Sequence, residues 1–117
     1  MKKLLFMFMI TTIIVLLGAC GNNGGEEVEV SEDAFEVTIT STNWDFDEDT
    51  YTVPEGEVLI NHVNGEGHHG IEIVGTGVTI NGNGSAGAIL EAGEYEIICS
   101  IPCGAGHRDM VATLVVQ

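Results

Sequence analysis

Apolar and polar residues alternate along most of the chain after residue 34, and this period of two is typical of β-strands with one buried face. The pattern predicts strands at 35–40, 58–63, 70–74, 94–99 and 111–116, with residues 51–53 leading into a turn at 54–56 and a glycine-rich loop over 75–87 that holds at most one short strand, 78–80. No stretch after residue 20 shows the helical period of 3.6. The sequence therefore predicts an all-β, compact antiparallel sandwich or barrel of six to eight short strands.

The first residues follow a different pattern, which is typical of a secretory signal. Lys2 and Lys3 precede an apolar run over 4–17, and this run is shorter than the ~20 residues of a membrane-spanning helix. It ends in Gly18-Ala19-Cys20, which resembles a bacterial lipobox, where the cysteine becomes lipidated. We therefore predict a signal peptide at 1–19, a lipidated Cys20 with a flexible acidic tether over 20–33, and one folded domain at 34–117. The mature protein would be lipid-anchored on the extracytoplasmic face of the cell membrane.

The charge balance excludes one class of partner. The 117 residues include 18 Asp or Glu and 3 Lys or Arg, which gives a net charge of −15 at pH 7. Such an acidic chain repels phosphate backbones, so we expect no nucleic-acid partner.

The chemistry concentrates in one short segment with the spacing Cys-x3-Cys-x3-His-x2-Met, formed by Cys99, Cys103, His107 and Met110. Thiolate and thioether are soft ligands and imidazole is borderline, and this set favours copper. With a second, distant histidine, two thiolates and two imidazoles exceed what one copper needs, so the ligand count favours a pair of coppers that share the thiolates. A plain disulfide between the cysteines and a zinc site are the simpler alternatives, but a disulfide leaves the His and Met spacing unexplained and Met is a poor zinc ligand.

Three histidines could complete the site: His62, His68 and His69. His69 shares its predicted strand face with Ile71 and Ile73, whereas His68 falls on the more polar face. Because a copper site between loops needs a residue on the core side, we predict His69 as the ligand. We expect His62, which has Asn61 and Asn64 nearby at a strand end, to be a surface residue.

The segment from residue 44 to 116 resembles the copper-A (CuA) domain of cytochrome c oxidase subunit II. The resemblance is carried by Pro54-Glu55-Gly56, by His69-Gly70-Ile71-Glu72-Ile73, by the run Gly93-Glu94-Tyr95-Glu96-Ile97-Ile98-Cys99, and by the whole loop from Cys99 to Met110. It implies a cupredoxin-like Greek-key β-barrel with a binuclear copper centre.

The same resemblance implies a role for each ligand. Cys99 and Cys103 would be bridging thiolates, His69 and His107 terminal ligands, and Met110 and the Ile101 carbonyl weak ligands. In the family this centre takes electrons from cytochrome c and passes them to haem in subunit I of the oxidase. Many members carry an acidic residue where Ile101 stands, which contributes to a magnesium site, so we expect no magnesium here.

Other functions remain open at this point. The same ligands would serve a copper-binding or delivery lipoprotein for oxidase assembly, and Cys99 with Cys103 could serve a thiol–disulfide protein. The sequence shows no nucleophile and no acid–base pair, so we expect no bond chemistry from this chain alone, although it resembles the electron-input subunit of an oxidoreductase. We expect Trp44 to be a core residue, with a position beside the copper as the alternative.

Overall fold

A computed structural model describes residues 28–117 of the chain. The predicted signal peptide, the predicted lipidation site Cys20 and the first part of the predicted tether lie outside the described residues. The domain boundary at residue 34 also stays a prediction, but the backbone N–H of Val28 already donates to the carbonyl of Gly87, at 3.0 Å. Within 28–117 no helix has the length and apolar character needed to cross a membrane.

Nine strands and one short 3₁₀ turn make up the described part of the chain. They are β1 (Phe35–Thr42), β2 (Asp45–Phe46), β3 (Thr50–Val53), β4 (Gly56–Asn64), β5 (Gly70–Ile73), β6 (Val78–Asn81), β7 (Gly84–Leu90), β8 (Gly93–Cys99), the 3₁₀ turn His107–Asp109 and β9 (Val111–Val116). One sheet has the order β2-β1-β4-β7 and the other β3-β9-β8-β5-β6. The predicted all-β sandwich is confirmed, with nine strands rather than six to eight among the described residues.

The alternation seen in the sequence places the core between the two sheets. Ile39 of β1 and Ile60 of β4 project from one sheet, and Ile73 of β5, Ile97 of β8 and Leu114 of β9 project from the other, all with 0% exposure. Burial of each such side chain stabilises the fold by about 1.5–3 kcal/mol. This two-sheet core holds the strand ends that carry the candidate ligands.

Two strand pairs are parallel, which corrects the antiparallel arrangement that the sequence predicts. β1 pairs with β4 from Phe35↔Val58 to Ser41↔Asn64, and β3 pairs with β9. Alternation specifies which face of a strand is buried but not which strand lies beside it. Here the parallel partners are neighbours in the sheet although other strands separate them along the chain.

The sequence predicts a loop over residues 75–87, and strand β7 corrects this expectation. The last four residues of the predicted loop, 84–87, belong to the strand. Its first five residues, 84–88, are Gly, Ser or Ala, and the glycines among them predict turns when only the sequence is considered. Ala86 and Ala88 face the core, at 4% and 5% exposure. A Cβ at Gly87 would clash with the carbonyl of Val28. The glycine therefore permits another backbone segment to approach the strand closely.

His62 is also corrected, since it is a core residue and not a surface one. It lies on the inward face of β4 with Val58 and Ile60 and is 2% exposed. Its Nε2 lies 2.7 Å from the Ser41 hydroxyl and its Nδ1 lies 2.6 Å from the Gly82 carbonyl. The strand continues to Asn64, so His62 is not at its end.

Burial of His62 predicts a pH dependence of stability. Desolvation lowers the pKa of the imidazole below its ordinary value of 6.5. As the pH falls below about 6.5 the unfolded chain takes up a proton at this residue that the folded chain does not, so the free energy of unfolding decreases. The loss stops once the pH is below the folded pKa. The measurement is denaturant unfolding from pH 8 to pH 5 for the wild type and His62→Gln, and equal pH slopes in the two proteins would contradict this account.

Candidate metal centre

The candidate ligands meet at one end of the second sheet because β5, β8 and β9 are neighbours there. Cys99 is the last residue of β8 and pairs with Ile71 of β5. The backbone N–H of Ser100 donates to the Gly70 carbonyl at 3.2 Å, which holds the start of the ligand loop against the start of β5. His69 directly precedes β5, and Met110 directly precedes β9.

The two thiols form the middle of the cluster. Cys99 Sγ lies 3.5 Å from Cys103 Sγ, and both cysteines are free thiols, so the structure does not contain the disulfide of the simpler alternative. Cys99 Sγ lies 3.9 Å from His69 Nδ1, and Cys103 Sγ lies 3.4 Å from His107 Nδ1. Each imidazole therefore approaches a different thiol.

Two weaker donors complete the cluster. Met110 Sδ lies 3.7 Å from Cys103 Sγ, and the carbonyl oxygen of Ile101 lies 3.1 Å from Cys99 Sγ. All six predicted ligand residues are thus brought together. Their assignment as metal ligands remains a prediction.

Three of the donor atoms lie close enough together to hold a metal ion. The ligand atoms of His69, Cys99 and Cys103 all lie within 4.8 Å of one another. Cys99, His69 and Met110 are buried, at 4%, 0% and 1% exposure, while Cys103 and His107 are half-buried. Soft sulfur and borderline nitrogen donors around a largely dry position match the preference of copper.

Burial also affects the protonation of the cluster. Desolvation, and then the neighbouring Cys99 thiol, raise the pKa of the Cys103 thiol above its ordinary value. A metal must therefore displace protons when it binds, so its apparent affinity rises with pH.

The two adjacent histidines differ in their surroundings. His69 is fully buried, whereas His68 is exposed. Parity along β5 places His69 on the same side as Ile71 and Ile73, which are both buried. Only His69 of this pair reaches the thiols.

Trp44 is not a core residue, because its side chain is 43% exposed. Its indole Nε1–H donates to the Cys103 carbonyl at 3.0 Å. A Cβ at Gly104 would lie 3.1 Å from the indole nitrogen, and one at Gly106 would clash with the ring. The indole thus lies against the ligand loop, and the glycines at 104 and 106 leave room for it there.

Two asparagines contact His69, and no pattern in the sequence predicts either contact. Asn43 contacts the imidazole from the β1–β2 connection, and Asn64 accepts a hydrogen bond from the His69 backbone N–H at 3.0 Å. Asn43 is 26 residues from His69 along the chain, and no local spacing links the two.

Comparison with known proteins gives matches at the level of sequence and of fold. No family model matches the chain. Two curated relatives, both cytochrome c oxidase subunit 2 of Thermus thermophilus, are 26% identical to it over 96 residues. The alignments cover 77% of this chain, and 71% of the first relative and 57% of the second.

Solved structures share the sandwich. The periplasmic domain of subunit II of cytochrome oxidase (CoxB) of Bradyrhizobium japonicum has a TM-score of 0.65 at 15% identity, covering 71% of this chain and 83% of that one. A pseudoazurin from Sinorhizobium meliloti has a TM-score of 0.53 at 17% identity, covering 70% and 73%. At these identities the solved structures establish the fold alone. The chain therefore has a cupredoxin-like fold and is similar in sequence to cytochrome c oxidase subunit 2.

Proposed function

We propose that the chain is a one-electron carrier with a binuclear copper centre, in which Cys99 and Cys103 bridge the metals. The observation that carries the proposal is the paired arrangement of donors, with one imidazole beside each of two thiols that lie 3.5 Å apart. His69 and His107 would be the terminal ligands. Met110 and the Ile101 carbonyl would be the weak ones.

The protein would act by holding these donors still. A bound copper pair would supply a one-electron couple whose charge is shared between two metals. Cys99, Met110 and His69 are held at or next to the ends of paired strands, and the buried side chains of His69 and Met110 keep water from that side of the cluster. A donor set that keeps its geometry on gain of an electron has a low reorganisation cost.

The relatives suggest partners on both sides of this step. They are cytochrome c oxidase subunits, so we propose that the chain accepts electrons from a cytochrome c and passes them to a haem–copper oxidase. Trp44 is the exposed side chain bonded to the Cys103 carbonyl, and it is our candidate for the point of contact with the donor.

The test of the proposed function is copper content together with electron spin resonance. We expect two coppers per chain, and an oxidised signal whose hyperfine pattern shows an unpaired electron shared by two copper nuclei. One copper per chain, with coupling to a single nucleus, would contradict the binuclear centre. Transfer of Cu(I) to an acceptor protein without reversible one-electron cycling would favour copper delivery instead.

We further propose that Cys20 anchors the domain on the extracytoplasmic face through a lipid, as the Gly18-Ala19-Cys20 sequence indicates. The periplasmic location of the related CoxB domain is compatible with this placement. We expect Cys20→Ala to abolish incorporation of radiolabelled palmitate and to leave the protein unprocessed or unlipidated. Processing with retained membrane attachment would show that another segment is the anchor.

A further inference from the structure

The two nitrogens of the His69 imidazole face different groups. Nδ1 lies 3.9 Å from Cys99 Sγ, and Nε2 lies 3.1 Å from the side-chain Oδ1 of Asn43. We infer that Asn43 is a positioning residue that fixes the tautomer and orientation of His69, so that the lone pair of Nδ1 points at the thiols. This inference rests on the proposed function, in which His69 is a copper ligand.

The protonation of the ring follows from elementary chemistry. A neutral imidazole has one N–H and one nitrogen with a free lone pair. If Nδ1 is to bind a metal, Nε2 must carry the hydrogen, and a buried N–H needs an acceptor. His69 is 0% exposed, so solvent does not supply that acceptor. Oδ1 of Asn43 lies at the required position. Because only the oxygen of the amide can accept from the Nε2–H, the oxygen and not the NH₂ group must face the ring.

The surrounding backbone holds Asn43 and His69 together. A Cβ at Gly67 would clash with Oδ1 of Asn43 and would lie 3.0 Å from Nε2 of His69. Gly67 has a φ of +76°, which favours glycine independently. Asn64 accepts from the His69 N–H at 3.0 Å and donates its amide to the Gly67 carbonyl at 2.5 Å. The loop before β5 is thereby closed over the Asn43–His69 contact.

A purely structural role for the Asn43 side chain is a weaker explanation. Its backbone N–H donates to Glu66 Oε1 at 3.3 Å, and any residue except proline could supply that donor. Within residues 28–117 the side-chain amide makes no hydrogen bond other than the one to His69. The side chain thus acts on the imidazole and not on the turn that carries it.

The contact has a predictable effect on a bound metal. An acceptor on the distal N–H of a ligating histidine makes the ring a stronger donor, which stabilises the oxidised metal and lowers the reduction potential. A carboxylate is a stronger acceptor than an amide. We therefore expect the potential to increase in the order Asn43→Asp, wild type, Asn43→Ala.

The experiment uses the full chain in two forms, with Asn61→Ala as the matched control. Asn61 is an asparagine of β4 whose side chain bonds Glu36 at 2.8 Å. In the copper-free chain, long-range ¹⁵N–¹H correlation at a pH where the ring is neutral reports the His69 tautomer. We expect the Nε2–H form in the wild type, Asn43→Asp and Asn61→Ala, and a mixture in Asn43→Ala. In the copper-loaded chain we expect about 10-fold weaker binding for Asn43→Ala and the order of potentials above.

The inference would be overturned if the His69 tautomer were unchanged in Asn43→Ala. Equal reduction potentials in the wild type, Asn43→Asp and Asn43→Ala would also overturn it. If Asn43→Ala does not fold, Asn43→Asp alone tests the inference. A reduction potential of Asn43→Asp that equals or exceeds that of the wild type would then overturn it. Failure of the proposed function is a separate result, because it appears as fewer than two coppers in the wild type. The tautomer measurement does not depend on that count.

Discussion

Cys103→Ser is expected to reduce the copper content from two per chain to one or none and to remove the signal of a shared electron. The thiol of Cys103 lies 3.5 Å from that of Cys99 and within 3.7 Å of Met110 Sδ, so it is central to the donor set. Serine replaces a soft thiolate by a hard hydroxyl, which copper binds poorly. Loss of a residue that merely supports a ligand weakens metal binding about 10–100-fold, so loss of a bridging ligand should exceed about 100-fold.

The same result is expected for Cys99→Ser, since the proposed centre needs both bridges. Ser100→Ala is the matched control, because it removes a hydroxyl from the same loop and Ser100 is not a proposed ligand. The Ser100 hydroxyl donates to Asn81 Oδ1 at 2.9 Å. Copper content, spin resonance and thermal unfolding of the copper-free proteins should be measured together. Two coppers with an unchanged signal in either cysteine variant would exclude bridging thiolates.

His69→Ala should abolish the native copper spectrum, and His68→Ala should leave it nearly intact. The two residues are adjacent in sequence, but only His69 is buried beside the thiols, 3.9 Å from Cys99 Sγ. Their contrast tests the strand register directly, since a shift by one residue would exchange the two side chains between faces.

Removal of a buried imidazole also leaves a cavity, which destabilises the domain in addition to removing a ligand. Added imidazole should therefore restore part of the spectrum in His69→Ala, and His69→Gln, which retains most of the volume, should fold and still lack the native spectrum. A native spectrum in His69→Ala, together with its loss in His68→Ala, would mean that His68 is the ligand.

The fold class and the composition of the candidate site follow from local features of the sequence. Alternation specifies the buried face of each strand, and this property is local, which is why the core positions Ile39, Ile60 and Ile73 can be predicted. The choice of His69 over His68 used the same parity. Cys99, Cys103 and His107 fall within nine residues, so their proximity needs one loop and no knowledge of distant contacts.

Other features depend on which segments become neighbours, and these required the three-dimensional fold. Small residues in β7 resemble a loop until the contact of Gly87 with Val28 is seen. His62 resembles a surface residue until β4 is found to extend past it. Asn43 reaches His69, and Trp44 reaches the Cys103 carbonyl, across 26 and 59 residues of chain. Local periodicity carries no information about such contacts, because they depend on strand pairing and on how the two sheets pack.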